Sequence, residues 1–401
     1  MSKNRPRRLA GAAALSLAAF CGAAGAGTPF TPATDTEVVE RLPGRGGDPA
    51  LRNVENLRRQ LAARPRDATL RLEVARRYFD LAMAQGDPRY VGYAASAIGP
   101  LADTDAANPA YWLLRGLIEQ YNHDFAGALT SLSRASELDP QAAEPVAWRA
   151  AIHMVQARYP QALAECSRLG ALAAPLLARG CTAYAEAATG QLAKAYQGLD
   201  SALAAAGPVE PGLALWLRTR LAEMAVRLQR PPEAEAHFRA ALDTGVTDQF
   251  VLGAYADFLL RQQRPAEVIR LLADWERSDI LLLRLALAGK ALNHPRAADW
   301  AGQLRDRFAA AALRGDKLHE QEAARFELDI ENQPARALPL ARANHETQKE
   351  PRDAEVLMRA ALAAGQPGAA RPALDWLRAS GYEDPALQAL AERLVAAGAQ
   401  R

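Results

Sequence analysis

The chain has 401 residues, with 48 Lys and Arg against 46 Asp and Glu, and half of it is hydrophobic but only 6% aromatic. The near balance of charge excludes a nucleic-acid surface built on many phosphate contacts. Apolar bulk comes largely from Ala, the best helix former, so an all-α chain of closely approaching helices is the first expectation.

Residues 1–26 open with Lys3, Arg5, Arg7 and Arg8, run through a small apolar stretch from Leu9 to Ala19, and end at Ala24-Gly25-Ala26. That order of basic, apolar and small residues is expected of a signal peptide for Sec-type export, cleaved after Ala26. A membrane anchor is disfavoured, because the run reaches only about 18 residues and is rich in Ala and Gly. Phe20 before Cys21 does not fit a lipidation site, and Arg7-Arg8 lack the rest of a twin-arginine pattern. Cleavage would remove four basic and no acidic residues, taking the formal charge from +2 to −2. The expected location is periplasmic or secreted, with no stable membrane insertion after cleavage. Residues 27–48, rich in Gly, Pro and Thr, are expected to form a flexible N-terminal segment.

From residue 49 the patterning is helical throughout. A helix over 49–63 is stopped by Pro65, a longer one follows over 68–85, and Gly86-Asp87-Pro88 turns the chain into a third from Tyr90 to Leu101. Residues 111–140 then set a unit: Trp112 and Gly116 in a first helix, a turn at His123-Asp124, Ala128 and Ala135 in a second helix, and a stop at Asp139-Pro140. The residue at the Ala128 position returns as Ala162, Ala195, Ala234, Val268, Ala298, Ala337 and Ala370, in steps of 34, 33, 39, 34, 30, 39 and 33. Pro160, Pro232, Pro265, Pro295, Pro334 and Pro367 fall at or just before the start of a second helix, where a missing N–H costs nothing. A fixed period of this length signals a solenoid.

These residues resemble the tetratricopeptide repeat (TPR), in which small side chains let two antiparallel helices pack and a proline ends the second. The resemblance covers residues 49–397 and implies an α-solenoid of about nine tandem helix-turn-helix pairs forming a right-handed superhelix. Ala386 to Ala397, with Leu387, Leu390 and Leu394 on one face, reads as the helix that caps the open apolar end.

The search for chemistry finds no catalytic constellation, no metal site and no cofactor motif. Six histidines are scattered, His319-Glu320 lacks the second His of a zinc protease, and there is no phosphate loop. The chain is therefore read as a non-enzyme. Cys166 and Cys181 fall in neighbouring helices on either side of a turn; they form a disulfide if the compartment oxidises them, or two small buried thiols if it does not. The resemblance places the inner positions of each first helix on a concave groove. Carried onto this chain, these include Gln120, Tyr121, Tyr184, Glu223, Arg227, Asp257, Arg261 and Lys290, with Leu113, Met154, Thr219, Glu322 and Arg359 also on that face. Trp148, Trp275, Trp300 and Trp376 are read as fillers of helix interfaces.

Three functional expectations follow. The first is a non-catalytic scaffold of the periplasm or cell envelope that binds a peptide segment or helix of an unidentified protein partner in the groove. The second is a transient assembly or chaperone-like factor for secreted or envelope components. A reading of another class is an enzyme or small-ligand carrier with its site in the irregular 309–322 region.

Overall fold

The structure is a computed structural model that describes residue 34 and residues 49–399, except 173 and 317. Residues 1–26, expected to be a signal peptide, and most of the 27–48 segment lie outside the described residues. Every regular element among the described residues is helical.

A lone helix, α1 (Pro49–Ala63), leads into nine helix pairs: α2 and α3 (Ala68–Gln85, Arg89–Ile98), α4 and α5 (Pro109–Tyr121, Phe125–Leu138), α6 and α7 (Ala143–Val155, Tyr159–Ala171). Then come α8 and α9 (Pro175–Ala187, Leu192–Ala205), α10 and α11 (Pro211–Arg227, Pro231–Leu242), α12 and α13 (Gln249–Arg261, Pro265–Leu271). The last three are α14 and α15 (Asp279–Leu292, Ala297–Arg314), α16 and α17 (Glu320–Arg325, Pro334–Thr347), α18 and α19 (Pro351–Ala363, Arg371–Ser380). The capping helix α20 (Pro385–Ala399) follows, with Leu387, Leu390 and Leu394 buried. This is an α-solenoid of tandem helix-turn-helix pairs, as the repeat resemblance implied, and its packing shows why the small residues recur. A Cβ on Gly116 would sit 2.7 Å from Leu132 Cγ, so α4 and α5 approach at a distance only glycine allows. Ala128, Ala162, Ala195, Ala234, Val268, Ala337 and Ala370 are all fully buried. Ala298 is the exception. It is exposed, and the contact to Gly289 is made by Ala297 and the Trp300 ring, because α15 presents its neighbouring face to α14.

One device repeats with the period and is nearly invisible in the residue types. His123, Ala157, Gly190, Gln229, Gln263, Asn293, Asn332 and Gly365 each lie five residues before a repeat marker, and all have φ between 51° and 79°. Each ends the first helix of a pair in the left-handed conformation, and the next N–H reaches back across the turn. Asp124 N–H donates to Glu119 O and Arg264 N–H to Leu259 O, both at 2.9 Å. At Gln333 the bond goes to Glu327, six residues back, because a π-helical turn, Phe326–Ile330, adds a residue to the end of that first helix.

Side-chain caps begin many of the helices: Asp67, Asp124, Asp248 and Ser278 each accept from an N–H three residues on. Cys166 on α7 and Cys181 on α8 are joined by a disulfide with a Cα–Cα distance of 5.4 Å.

Candidate functional site

The first helices form an inner wall around a cavity of about 520 Å3. Seven of the eight groove residues named from the sequence line it: Gln120 and Tyr121 from α4, Tyr184 from α8, Glu223 and Arg227 from α10, Asp257 and Arg261 from α12. Lys290 does not. Its Nζ donates to the carbonyls of Asp329 and Ile330 at 2.7 and 3.0 Å, so it caps the π-helical turn instead. Met154 and Glu322 also line the cavity. Thr219 is buried and donates to Leu215 O; its neighbour Arg220 takes the inward position, about 100° round the helix. Arg359 pairs with Asp329, and Leu113 packs with the apolar cores of the N-terminal repeats.

A polar region around Arg220 was anticipated from the sequence only in part, at Tyr184 and Glu223. Arg220 lies between the rings of Tyr184 and Phe250, each 4.7 Å from its Cζ, and Arg352 lies over Phe250 at 5.2 Å. Each guanidinium has a carboxylate partner, Glu223 for Arg220 at 2.9 Å and Glu350 for Arg352 at 2.6 Å. This order of cation and ring is favourable because desolvated arginines are attracted to ring faces. Burial pushes the Glu223 carboxyl up, with Arg220 opposing. Burial also pushes the Asp353 carboxyl up to about 7, reinforced by Glu350. Asp257 goes the other way: burial would raise it, but Arg284 and Arg325 at 2.7 and 3.0 Å hold it far below the usual carboxylate range. Two sequence signals for this region existed, Arg220 next to an expected groove position and the charged run Lys349 to Asp353, but neither carries a period.

Part of the enclosure comes from the C-terminal repeats, which fold back over the concave face. The Gln348 amide lies 3.3 Å from the His123 ring nitrogens, and Lys349 N–H donates to Val155 O at 2.7 Å. Trp376 Nε1 donates to the Tyr159 hydroxyl at 2.9 Å. The Glu383 side chain accepts from Leu192 N–H at 2.6 Å, capping α9. Arg227 spans the junction, donating to Ala187 O and to Glu383 O while its Cζ sits 3.7 Å over the Tyr382 ring. The groove inferred from the sequence is thus a chamber whose far side is the chain's own C-terminal block. Of the four tryptophans read as interface fillers, Trp300 and Trp376 are buried, Trp275 packs at the edge of a core, and Trp148 lines the chamber.

Among the described residues no group of three or more His, Cys, Asp or Glu side chains is arranged to hold a metal ion, and no helix is long and apolar enough to cross a membrane. The irregular stretch singled out for a possible ligand site ends in the chamber wall, at Leu318, His319, Gln321 and Glu322.

No protein-family model and no curated protein matches the chain. Among solved structures it is similar to Cut9 in the APC/C hetero-tetramer Cut9-Hcn1, at 16% identity over 78% of this chain with a TM-score of 0.39; the match spans about half of that chain, 52%. It is also similar to yeast Tom70, at 12% identity over 87% of this chain and 85% of that one, TM-score 0.42. A third similar structure is PilW, a type IV pilus biogenesis factor, at 21% identity over 59% of this chain and 94% of that one, TM-score 0.34.

Proposed function

We propose that the chain is a non-catalytic binding protein of the bacterial periplasm or cell envelope, a scaffold that holds a short segment of a partner protein in its chamber. The observation that carries this reading is the chamber wall itself: mixed charged, amide and aromatic side chains from successive first helices converge on one space of about 520 Å3. Such a lining suits a polypeptide segment with both polar and apolar groups. Export is supported by the basic, apolar and small-residue order of residues 1–26 and by the Cys166–Cys181 disulfide, which persists in an oxidising compartment. A transient, assembly-factor role uses the same chamber and differs only in how long the client stays.

A second reading, a carrier of a small molecule, is favoured by one observation: the volume lies within the range of small-ligand pockets, about 300–1,000 Å3. One experiment separates the two. The tagged protein is crosslinked in cells and captured, and both the crosslinked polypeptides and any small molecule released on denaturation are identified by mass spectrometry. A specific polypeptide that is lost when Gln120→Ala and Arg261→Ala are combined supports the scaffold. A released small molecule supports the carrier. A polypeptide captured equally by the double variant refutes the chamber as the binding site.

A further inference from the structure

Four groups in the chamber wall stack as ring, guanidinium, ring, guanidinium: Tyr184 from α8, Arg220 from α10, Phe250 from α12 and Arg352 from α18. The two cations are not alike. Arg220 has a ring on each side and only 7% of its side chain is accessible, whereas Arg352 rests on one ring and 44% of its side chain is accessible. That accessible part opens on the chamber, since Arg352 lies in its wall. A charged guest group is a poor match for this face. Burial opposes the Arg352 charge, but Glu350, Asp353 and Glu322 outweigh it and hold the guanidinium charged. An added carboxylate would meet those side chains, and an added cation would meet Arg352 itself and Arg220. An aliphatic group would displace water from the guanidinium and give it no interaction instead. An aromatic ring gives it one, because a desolvated guanidinium is attracted to a ring face, and this wall already holds Arg220 in that way between two rings.

We propose that the accessible face of Arg352 is a subsite for one uncharged aromatic side chain, Phe, Tyr or Trp, of the partner segment. The guest ring extends the stack by one member, with Arg352 held between it and Phe250 as Arg220 is held between Tyr184 and Phe250. The inference rests on the chamber being the binding site and adds what that site selects, but its test needs no identified partner.

The probe is a blocked tripeptide, acetyl-Gly-X-Gly-amide with X para-fluorophenylalanine, titrated with the whole chain and followed by fluorine NMR. The same peptide with X as Phe, Trp, cyclohexylalanine, Glu or Lys competes with it. The Phe and Trp peptides displace the probe at concentrations about tenfold lower than the cyclohexylalanine peptide, which has the shape of Phe without its π face. The Glu and Lys peptides do not displace it. Arg352→Met keeps an apolar stem over Phe250 and removes the charge, so it cuts the preference for the ring to about twofold or less; Arg352→Lys retains part of it. The comparison of Phe with cyclohexylalanine is made in the parent chain and stands whatever the variants do to stability. Equal displacement by those two peptides overturns the subsite, because shape and apolarity alone are then read. A ring preference that survives Arg352→Met overturns it too, because the ring then stacks elsewhere. Failure of the probe to bind also overturns it. The scaffold reading fails separately, when the crosslinked polypeptide is captured equally by the chain carrying Gln120→Ala with Arg261→Ala.

Discussion

Replacing Gln229 and Gln263 by glycine should stabilise the protein, although glycine ordinarily weakens helical proteins. Both residues end a first helix with positive φ, 57° and 56°, and both are exposed, so truncation sacrifices no packing. A side chain in the left-handed region costs roughly 1–2 kcal/mol. Glycine gives back about 0.4–1 kcal/mol by loosening the unfolded chain, leaving a net gain of about 0.5–1 kcal/mol per site. The sites belong to different repeats and share no partner, so the gains should add, to about 1–2 kcal/mol for the double variant. Urea unfolding followed by circular dichroism measures this, with Ala309→Gly, an exposed position inside α15, as the control that should lose about 1 kcal/mol. Should the glutamine variants lose stability as the control does, the left-handed turns are not strained and the account of the repeat turn is wrong.

Three further outcomes are expected. Gly116→Ala should cost about 1 kcal/mol despite its better helix propensity, because the new Cβ meets the fully buried Leu132 at 2.7 Å and overpacking exceeds the propensity gain; thermal unfolding shows the sign. Removing the disulfide by Cys166→Ala with Cys181→Ala should lower stability by about 3 kcal/mol, the value for a loop of this length, measured by urea titration. The raised pKa of Asp353, about 7, means the folded state holds a proton that the unfolded state releases near pH 4, so this group's contribution is present at low pH and lost as pH rises through 7. Comparing Asp353→Asn with the parent from pH 5 to pH 9 should therefore move the difference in the variant's favour by up to about 3 kcal/mol.

The solenoid was legible because its signals are local and periodic: small residues such as Gly116 and Ala128 where backbones meet, and prolines such as Pro265 and Pro334 where second helices begin. The left-handed turns were hidden because only Gly190 and Gly365 among the eight carry the residue that advertises such a conformation. Inner positions were readable to within one residue; that was enough for Tyr184 and Asp257, but it exchanged Thr219 for Arg220. Lys290 was misplaced because the π-helical turn of the next pair brings carbonyls within its reach. The closure was not readable at all. His123 with Gln348, or Arg227 with Glu383, are pairs without a shared period, and no local rule links them.

Separation along the chain also sets an order of events during synthesis. Contacts inside a helix pair join residues within a few tens of positions, whereas those of the closure join residues 156 to 225 apart. Local contacts form quickly, and distant ones wait on the loop entropy between them. A chain emerging from its N-terminus can assemble pair after pair, yet Arg227 has no Glu383 to meet until nearly the whole polypeptide is out. Refolding should accordingly show a fast phase in helix content and a slower one in the fluorescence of Trp376, and a product truncated before residue 383 would be helical but would lack the cap that Glu383 places on α9.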